Sequence, residues 1–186
     1  MSAEKLVMVG DFETTVYEGQ TSTEVWASAL VPLFTEDVAI FHSIDETFTY
    51  METLRTSMIV YYHNLKFDGS FWLSYLLRRE DYKPALQEYH YEDGKVDYQF
   101  DERKDMRKGT YTYCISDKGL WYYITIRTKN GSYIDIRDSL KLLPFSVKAL
   151  GKSFGTKHKK LEMEYEGERY AGCYITPEEK QYIAND

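Results

Sequence analysis

LVMVGDFETT, residues 6–15, is the segment from which the rest of the fold follows. Its first half is a short apolar run rich in valine, which is typical of a strand buried in a sheet. Asp11 and Glu13 come two residues apart at the end of this run, so the strand repeat places both carboxylates on one face. Two like charges there are costly unless a cation neutralises them, and divalent cations prefer oxygen ligands. The segment indicates a metal site at a strand end; the alternative is a strand that runs out into a polar turn.

A second block, YYHNLKFDGSF at residues 61–71, joins a buried strand to a helix. Asp68 then lies near the helix N-terminus, where a carboxylate is also favourable for the helix dipole alone. The amide of Asn64 and the rings of Phe67 and Phe71 are groups that grip a single nucleic-acid strand, because aromatic faces stack on bases. The alternative for the two phenylalanines, which share a helix face, is a place in the core.

The third block is ITPEEKQYIAND, residues 175–186. Thr176 and Glu179 have the spacing of a capping box, and the proline between them suits a first helical position. The block therefore predicts a helix that runs to the end of the sequence. Tyr182 and Asp186 are four residues apart and share a face of it. A carboxylate that binds a metal and a phenol that hydrogen-bonds a metal-bound water would suit this arrangement.

The other segments predict one mixed α/β domain, since no repeat or low-complexity linker divides the chain. A densely charged segment, residues 92–108, predicts an exposed loop or hairpin tip rather than core. Further strands are predicted at 25–33, 38–44, 58–64, 110–115, 120–128 and 132–140, and further helices at 47–56, 67–79 and 146–154.

Composition excludes several classes of protein. Two cysteines make neither a disulfide framework nor a zinc ligand set, and no apolar run approaches a membrane span or a signal peptide. We therefore expect an intracellular, cytoplasmic protein without a membrane partner. The net charge of −7 is unusual for a nucleic-acid binder. However, residues 141–160 hold six lysines and no acidic residue, so this segment is either a path for phosphates or a solvated surface.

Taken together, DFETT, HNLKFD and YxxxD in this order resemble the Exo I, Exo II and Exo III motifs of family B DNA polymerases. With DSLKLLPFSVK at residues 138–148, the pattern is similar to the protein-primed polymerases of tailed bacteriophages and related mobile elements. The resemblance spans residues 5–186 and is weakest between 80 and 130. It implies an α/β, RNase H-like 3′→5′ exonuclease fold with a mixed central sheet flanked by helices. Residues 1–186 would be a single exonuclease domain, a fragment without the palm, fingers and thumb of a longer polymerase.

The resemblance also implies residue roles in the two-metal hydrolysis of the 3′-terminal phosphodiester of single-stranded DNA, which is the proofreading reaction. Tyr182 would orient the attacking water. Lys160 would contact the scissile phosphate, although it could also be one more solvated lysine. The carboxylates that would hold two Mg²⁺ or Mn²⁺ ions are Asp11, Glu13, Asp68 and Asp186. The residues that would bind the single strand are Thr14, Tyr61, His63, Asn64, Phe67, Phe71, Ser139, Leu140 and Tyr165.

The expected partner is the 3′ end of single-stranded DNA, joined in a full-length polymerase by primer-template DNA and a terminal protein. We expect a monomer, in the host cytoplasm if the gene is viral. Two alternatives remain open from the sequence. One is a stand-alone exonuclease, and the other is a truncated fragment that binds single-stranded DNA and hydrolyses it poorly.

Overall fold

The structure, a computed structural model, describes residues 5–156, 163 and 168–185. A large mixed sheet forms its centre, with helices on both faces and a separate two-stranded hairpin. The strands are β1 (Leu6–Thr14), β2 (Val25–Pro32), β3 (Ala39–Phe41), β4 (Met58–Tyr62), β5 (Lys83–Pro84), β6 (Leu86–His90), β7 (Val96–Phe100), β8 (Thr110–Ile115), β9 (Trp121–Arg127) and β10 (Tyr133–Asp138). The helices are α1 (Ile44–Thr53), α2 (Leu65–Arg78), α3 (Val147–Phe154) and α4 (Pro177–Asn185), with a 3₁₀ turn at Ser139–Lys141.

The strand order of the large sheet is β3-β2-β1-β4-β10-β9-β8-β5. Strands β1, β4 and β10 are parallel neighbours at its centre, and antiparallel strands flank them. The β1–β4 ladder ends where Val9 pairs with Tyr61, whereas Asp11 and Glu13 remain paired only with β2. The carboxyl ends of β1 and β4 are therefore unpaired with each other, which leaves the kind of crevice in which α/β proteins bind ligands.

Helices α1 and α2 cover one face of the sheet and bury the main core. This core is rich in aromatic rings: Phe12 from β1 lies 5.4 Å from Trp72 of α2, and Phe48 of α1 lies 6.2 Å from the same ring. The apolar residues that alternate along the strands, such as Ile134 and Ile136 of β10, point into it and are fully buried. Because the core residues of β1 alternate with Asp11 and Glu13, packing on this face turns the two carboxylates to the other one.

Helix α4 packs on the second face of the sheet, beside the carboxylates. Its Ile183 joins a buried cluster with Ala27 and Ala29 of β2. Those alanines are the direct cross-strand neighbours of Glu13 and Asp11, respectively. Their small side chains let α4 approach the sheet closely, so the helix packs on β2, the neighbour of the strand that carries the two carboxylates.

The start of α4 confirms the predicted capping box. The backbone N–H of Glu179 donates to the hydroxyl of Thr176 at 3.2 Å, and the Glu179 carboxylate accepts from the backbone N–H of Thr176 at 2.9 Å. Glu179 is only 3% exposed, and its other oxygen accepts from Nε of Arg169 at 2.9 Å. A buried ion pair thus fixes the N-terminal turn of the helix that carries Tyr182.

Two predicted elements are wrong at their boundaries: the helix predicted at 47–56 runs from Ile44 to Thr53, and the strand predicted before it is shorter. The strand predicted at 38–44 ends at Phe41 and α1 begins at Ile44, because the Ser43 hydroxyl accepts the Glu46 backbone N–H at 3.1 Å and caps the helix. The prediction of an exposed loop or hairpin tip at 92–108 is confirmed for nearly the whole segment, which includes the tip of the β6–β7 hairpin, and only Met106 within it is buried. No helix of the described part of the chain is long and apolar enough to span a membrane.

Candidate functional site

Three of the predicted carboxylates lie in the region where β1 and β4 diverge. Asp11 and Glu13 are partly exposed on β1, and Asp68, in the first turn of α2, is only 2% exposed. Burial, followed by the negative charge of Asp11 and to a smaller extent that of Glu13, raises the pKa of Asp68 to about 8. Backbone hydrogen bonds from Asp68 itself and from Phe12 act in the opposite direction on this pKa and do not offset the rise. The three groups therefore interact electrostatically.

The chemistry of these three carboxylates suits a divalent cation. Oδ1 of Asp68 is buried and has no hydrogen-bond partner among the described residues, which is a costly state for a carboxylate oxygen. Carboxylate oxygens are the hard ligands that Mg²⁺ or Mn²⁺ prefers. A bound cation would also offset the mutual repulsion of the three carboxylates. As the side chains are placed, the described residues contain no group of three or more His, Cys, Asp or Glu that could hold an ion. The fourth predicted ligand, Asp186, lies outside the described residues.

Asn64 lies at the junction of β4 and α2 in a backbone conformation that residues other than glycine rarely adopt. Its φ of 66° lies in the left-handed region, and its side chain makes no capping hydrogen bond to the helix. Asparagine tolerates this region better than most residues, although at some cost in free energy. A strained residue with an exposed amide at the mouth of a crevice supports the hypothesis that this amide binds a ligand.

The two phenylalanines of α2 have different environments, which the sequence left open. Phe71 is half-buried against the core, whereas Phe67 is 47% exposed. The rings meet edge to face with centroids 5.3 Å apart. Phe71 thus supports the ring of Phe67 from below, and Phe67 presents a free aromatic face one residue before Asp68.

Phe67→Ala is expected to weaken single-stranded DNA binding without unfolding the protein. One stacked base contributes ~1–3 kcal/mol, so the dissociation constant should rise roughly 5- to 150-fold. Fluorescence anisotropy with a labelled oligonucleotide measures the binding, and thermal melting measures the stability. Leu77→Ala is the matched control, because Leu77 is an exposed apolar residue of the same helix. A loss of ~3–5 kcal/mol of stability in Phe67→Ala would instead assign the ring to the core.

One side chain brings together residues from distant segments that were predicted to bind single-stranded DNA. His63 follows β4, and its Nδ1 lies 3.1 Å from the hydroxyl oxygen of Ser139, just after β10. Its Nε2 lies 2.8 Å from the carbonyl oxygen of Phe145, which only accepts, so Nε2 carries a proton. Leu140, beside Ser139, is half-buried. These bonds hold the 139–145 segment against the end of β4, at the same end of the sheet as Asp68.

The remaining predicted residues divide into those that the structure places and those outside the described part. Thr14 at the end of β1, Tyr61 on β4 and Tyr182 on α4 are all partly exposed. Tyr182 also packs against the cluster under α4. The predicted contacts of Lys160 and Tyr165 lie outside the described residues and stay predictions.

Sequence reasoning missed two arginines that the structure makes prominent. Arg169 forms an ion pair with Glu179 and so holds the start of α4. Arg169 lies outside any helix, so no helical spacing signals its pairing with Glu179. Arg137 is exposed on the same sheet face as Asp11 and Glu13, as the register of β1, β4 and β10 shows. The alternation of YIDIRD along β10 was a signal for it, because Asp135 and Arg137 face away from the core isoleucines.

Comparison with known proteins identifies the family. Residues 49–185 match DNA polymerase type B, organellar and viral. The chain belongs to this family. The resemblance to family B DNA polymerases is thereby confirmed over most of the chain.

Individual relatives of this type B polymerase chain come from bacteriophages. It is 34% identical over 181 residues to the DNA polymerase of Bacillus phage B103, and 35% identical over 181 residues to that of Bacillus phage Nf. It is 31% identical over 160 residues to that of Streptococcus phage Cp-1. The alignments with the B103 and Nf polymerases cover 95% of this chain, which spans 28% of the length of each of these relatives. The Cp-1 alignment covers 78% of this chain and 22% of the relative.

Solved structures confirm the predicted fold class. Phi29 DNA polymerase complexed with primer-template DNA matches with a TM-score of 0.76 and 30% identity, covering 98% of this chain and 29% of that one. The same polymerase complexed with single-stranded DNA matches with a TM-score of 0.74 and 31% identity over the same shares. The type B polymerase chain thus has the RNase H-like exonuclease fold, a mixed sheet flanked by helices.

Proposed function

We propose that this chain is the 3′→5′ exonuclease domain of a DNA-directed DNA polymerase. It would proofread by hydrolysing the 3′-terminal phosphodiester of single-stranded DNA during viral or mobile-element replication. The observation that carries the proposal is the state of Asp68, a buried carboxylate near Asp11 and Glu13 with one oxygen that has no hydrogen-bond partner among the described residues. A protein keeps such a destabilising arrangement where function requires it.

The carboxylates of Asp11, Glu13, Asp68 and Asp186 would hold two divalent ions. When bound, such a pair supplies an activated water and stabilises the leaving 3′-oxygen. Tyr182 would hydrogen-bond the attacking water and orient it. Lys160 would add positive charge beside the scissile phosphate as negative charge develops there.

Selection of an unpaired 3′ end would follow from the shape of the α2 N-terminus. The exposed face of Phe67 stacks only on a base that has left the duplex, and stacking tolerates any base. Asn64, His63 and Thr14 would contact the sugar and phosphates of the terminal nucleotides. Binding without base-specific contacts is what proofreading requires, because any base can be misincorporated.

Digestion of a 5′-labelled single-stranded oligonucleotide in Mn²⁺ tests the proposal. We expect a ladder that shortens from the 3′ end, no reaction in EDTA, and no cleavage of circular single-stranded DNA. The Leu77→Ala variant should give the same ladder at the same rate. Cleavage of the circle, or shortening from the 5′ end, would contradict the assignment.

A single-stranded DNA-binding fragment with little activity is the second candidate. It is favoured by the placement of the described carboxylates, which as they stand form no group that could hold an ion. The same digestion separates the two candidates: oligonucleotide binding without any ladder in Mn²⁺ would support the binding fragment. The exonuclease proposal also includes the partners of the full-length protein. That protein would be a monomer and would contact primer-template DNA and a terminal protein.

A further inference from the structure

A cavity of about 400 Å³ opens on the sheet face that carries Asp11 and Glu13. Its floor is a row of three neighbours across β8, β9 and β10, namely Thr112, Thr125 and Asp135. All three are polar and buried, which is unusual for the middle of a sheet. Its walls come from the segment after β7 and from the next row of the sheet. This volume falls in the range of small-molecule sites.

The floor and the wall each offer one carboxylate oxygen that accepts no hydrogen bond from the described residues. Asp135 is 1% exposed; its Oδ1 accepts from the Thr125 hydroxyl at 3.0 Å and from the Arg103 guanidinium. Its Oδ2 has no hydrogen-bond partner in the described part of the chain, and the Lys5 ammonium lies 3.8 Å from it. Oδ1 of Asp101, in the wall, is buried and equally without a partner among the described residues. A ligand with N–H donors would satisfy these oxygens.

The rim offers a cation and aromatic faces. Arg137 is exposed and forms no hydrogen bond or ion pair within residues 5–156, 163 and 168–185. Its direct neighbours across the sheet are Tyr123 of β9 and Tyr61 of β4. Tyr123 is 41% exposed and, with Phe100, lines the cavity. An arginine between two tyrosines suits a phosphate joined to a flat ring, because guanidinium groups bind phosphates and stack on planar groups.

We propose that this cavity binds one nucleotide unit whose base carries an exocyclic amino group. The phosphate contacts Arg137, the base packs against Tyr123 and Phe100, and the amino group donates to the acceptors of the floor. Adenine, guanine and cytosine meet this requirement, and thymine does not. The site is separate from the carboxylates: strand spacings put the Cα of Arg137 roughly 12 Å from that of Asp11.

The nucleotide could come from two sources with the same chemistry. One is a free mononucleotide, and the other is a nucleotide within a single DNA strand that passes Tyr61. Binding does not depend on the proposed nuclease activity, because no step of it uses Asp11, Glu13 or Asp68. A failure of the cavity proposal therefore leaves the exonuclease proposal intact, and an inactive protein can still be tested for binding.

Isothermal titration of the chain with dAMP, dGMP, dCMP and dTMP at low salt, in EDTA, tests the first source. The three amino-bearing nucleotides are expected to bind more tightly than dTMP. Arg137→Ala should weaken them roughly tenfold or more, as the loss of a charged hydrogen bond does. Thr112→Val, which removes a floor hydroxyl, should weaken them less. Arg107→Ala is the control, since Arg107 is an exposed arginine outside the cavity.

Oligonucleotides with 2-aminopurine at successive positions, also in EDTA, test the second source. If a strand occupies the cavity, the fluorescence change at one interior position is lost in Arg137→Ala and kept in Arg107→Ala. If only free mononucleotides occupy it, the titrations respond and no interior position does. The proposal is overturned if Arg137→Ala melts like the parent protein and alters neither readout more than Arg107→Ala. Equal affinity for dTMP and dAMP would overturn the role given to the base amine.

Discussion

Asp11→Ala is expected to lower the rate of 3′-terminal hydrolysis by several decades, with no recovery at high Mn²⁺. Among the charged groups, Asp11 makes the largest contribution to the raised pKa of Asp68. Removal of this carboxylate would take away a ligand for the ions that activate the water and stabilise the leaving oxygen. Single-turnover hydrolysis of a 3′-labelled oligonucleotide measures the rate, and a Mn²⁺ titration measures metal affinity.

Asp117→Ala is the matched control, because Asp117 is an exposed aspartate in the turn between β8 and β9. It should hydrolyse the oligonucleotide at the parental rate. Asp11→Ala should also keep the parental melting temperature, since its side chain is partly exposed and repels Asp68. An Asp11→Ala variant that is folded and retains more than about a tenth of the parental rate would remove Asp11 from the proposed metal site.

Asp68→Asn is expected to abolish hydrolysis while it stabilises the metal-free protein at alkaline pH. Folding raises the pKa of this carboxyl from an ordinary 3.8 to about 8, so the folded state holds the proton more tightly than the unfolded state. Stability from this group is therefore lost as the pH rises between these two values, by at most ~1.4 kcal/mol per pH unit. An amide does not ionise, so the variant escapes this loss.

Urea denaturation in EDTA at pH 5, 7 and 8.5 measures the effect. The parent protein should lose stability relative to Asp68→Asn as the pH rises, and the difference should shrink when a divalent ion is added to the parent, because the ion favours the charged carboxylate. Asp117→Asn is the control and should follow the parent at every pH. Parallel pH profiles for the parent and Asp68→Asn would show that the carboxylate is not held in a destabilised state.

Local patterns in the sequence were sufficient for several parts of the candidate site. The spacing of Asp11 and Glu13 predicted that they share a strand face, and the capping box of Thr176 and Glu179 predicted where α4 begins. The family resemblance rested on the same short motifs. These predictions succeed because strand repeats and helix caps depend on residues two to four positions apart, which interact whatever the rest of the chain does.

Long-range packing decided what the motifs left open. Phe67 and Phe71 share a helix face, but only the approach of Phe12 of β1 shows that Phe71 is the more buried of the two. The dense charge of residues 92–108 predicted a solvated segment. However, Arg103 near its end pairs with Asp135 of β10, thirty-two residues away.

The sequence by itself was enough to predict which residues would carry chemistry, namely carboxylates at a strand end and a helix start, a phenol on the last helix and aromatics beside them. The tertiary structure alone decided the electrostatic state of these groups. The charged form of Asp68 is destabilised because α2 packs over β1. This packing excludes water from the carboxylate and brings the charge of Asp11 close. Desolvation and charge proximity are properties of the surrounding space, and no spacing along the chain encodes them.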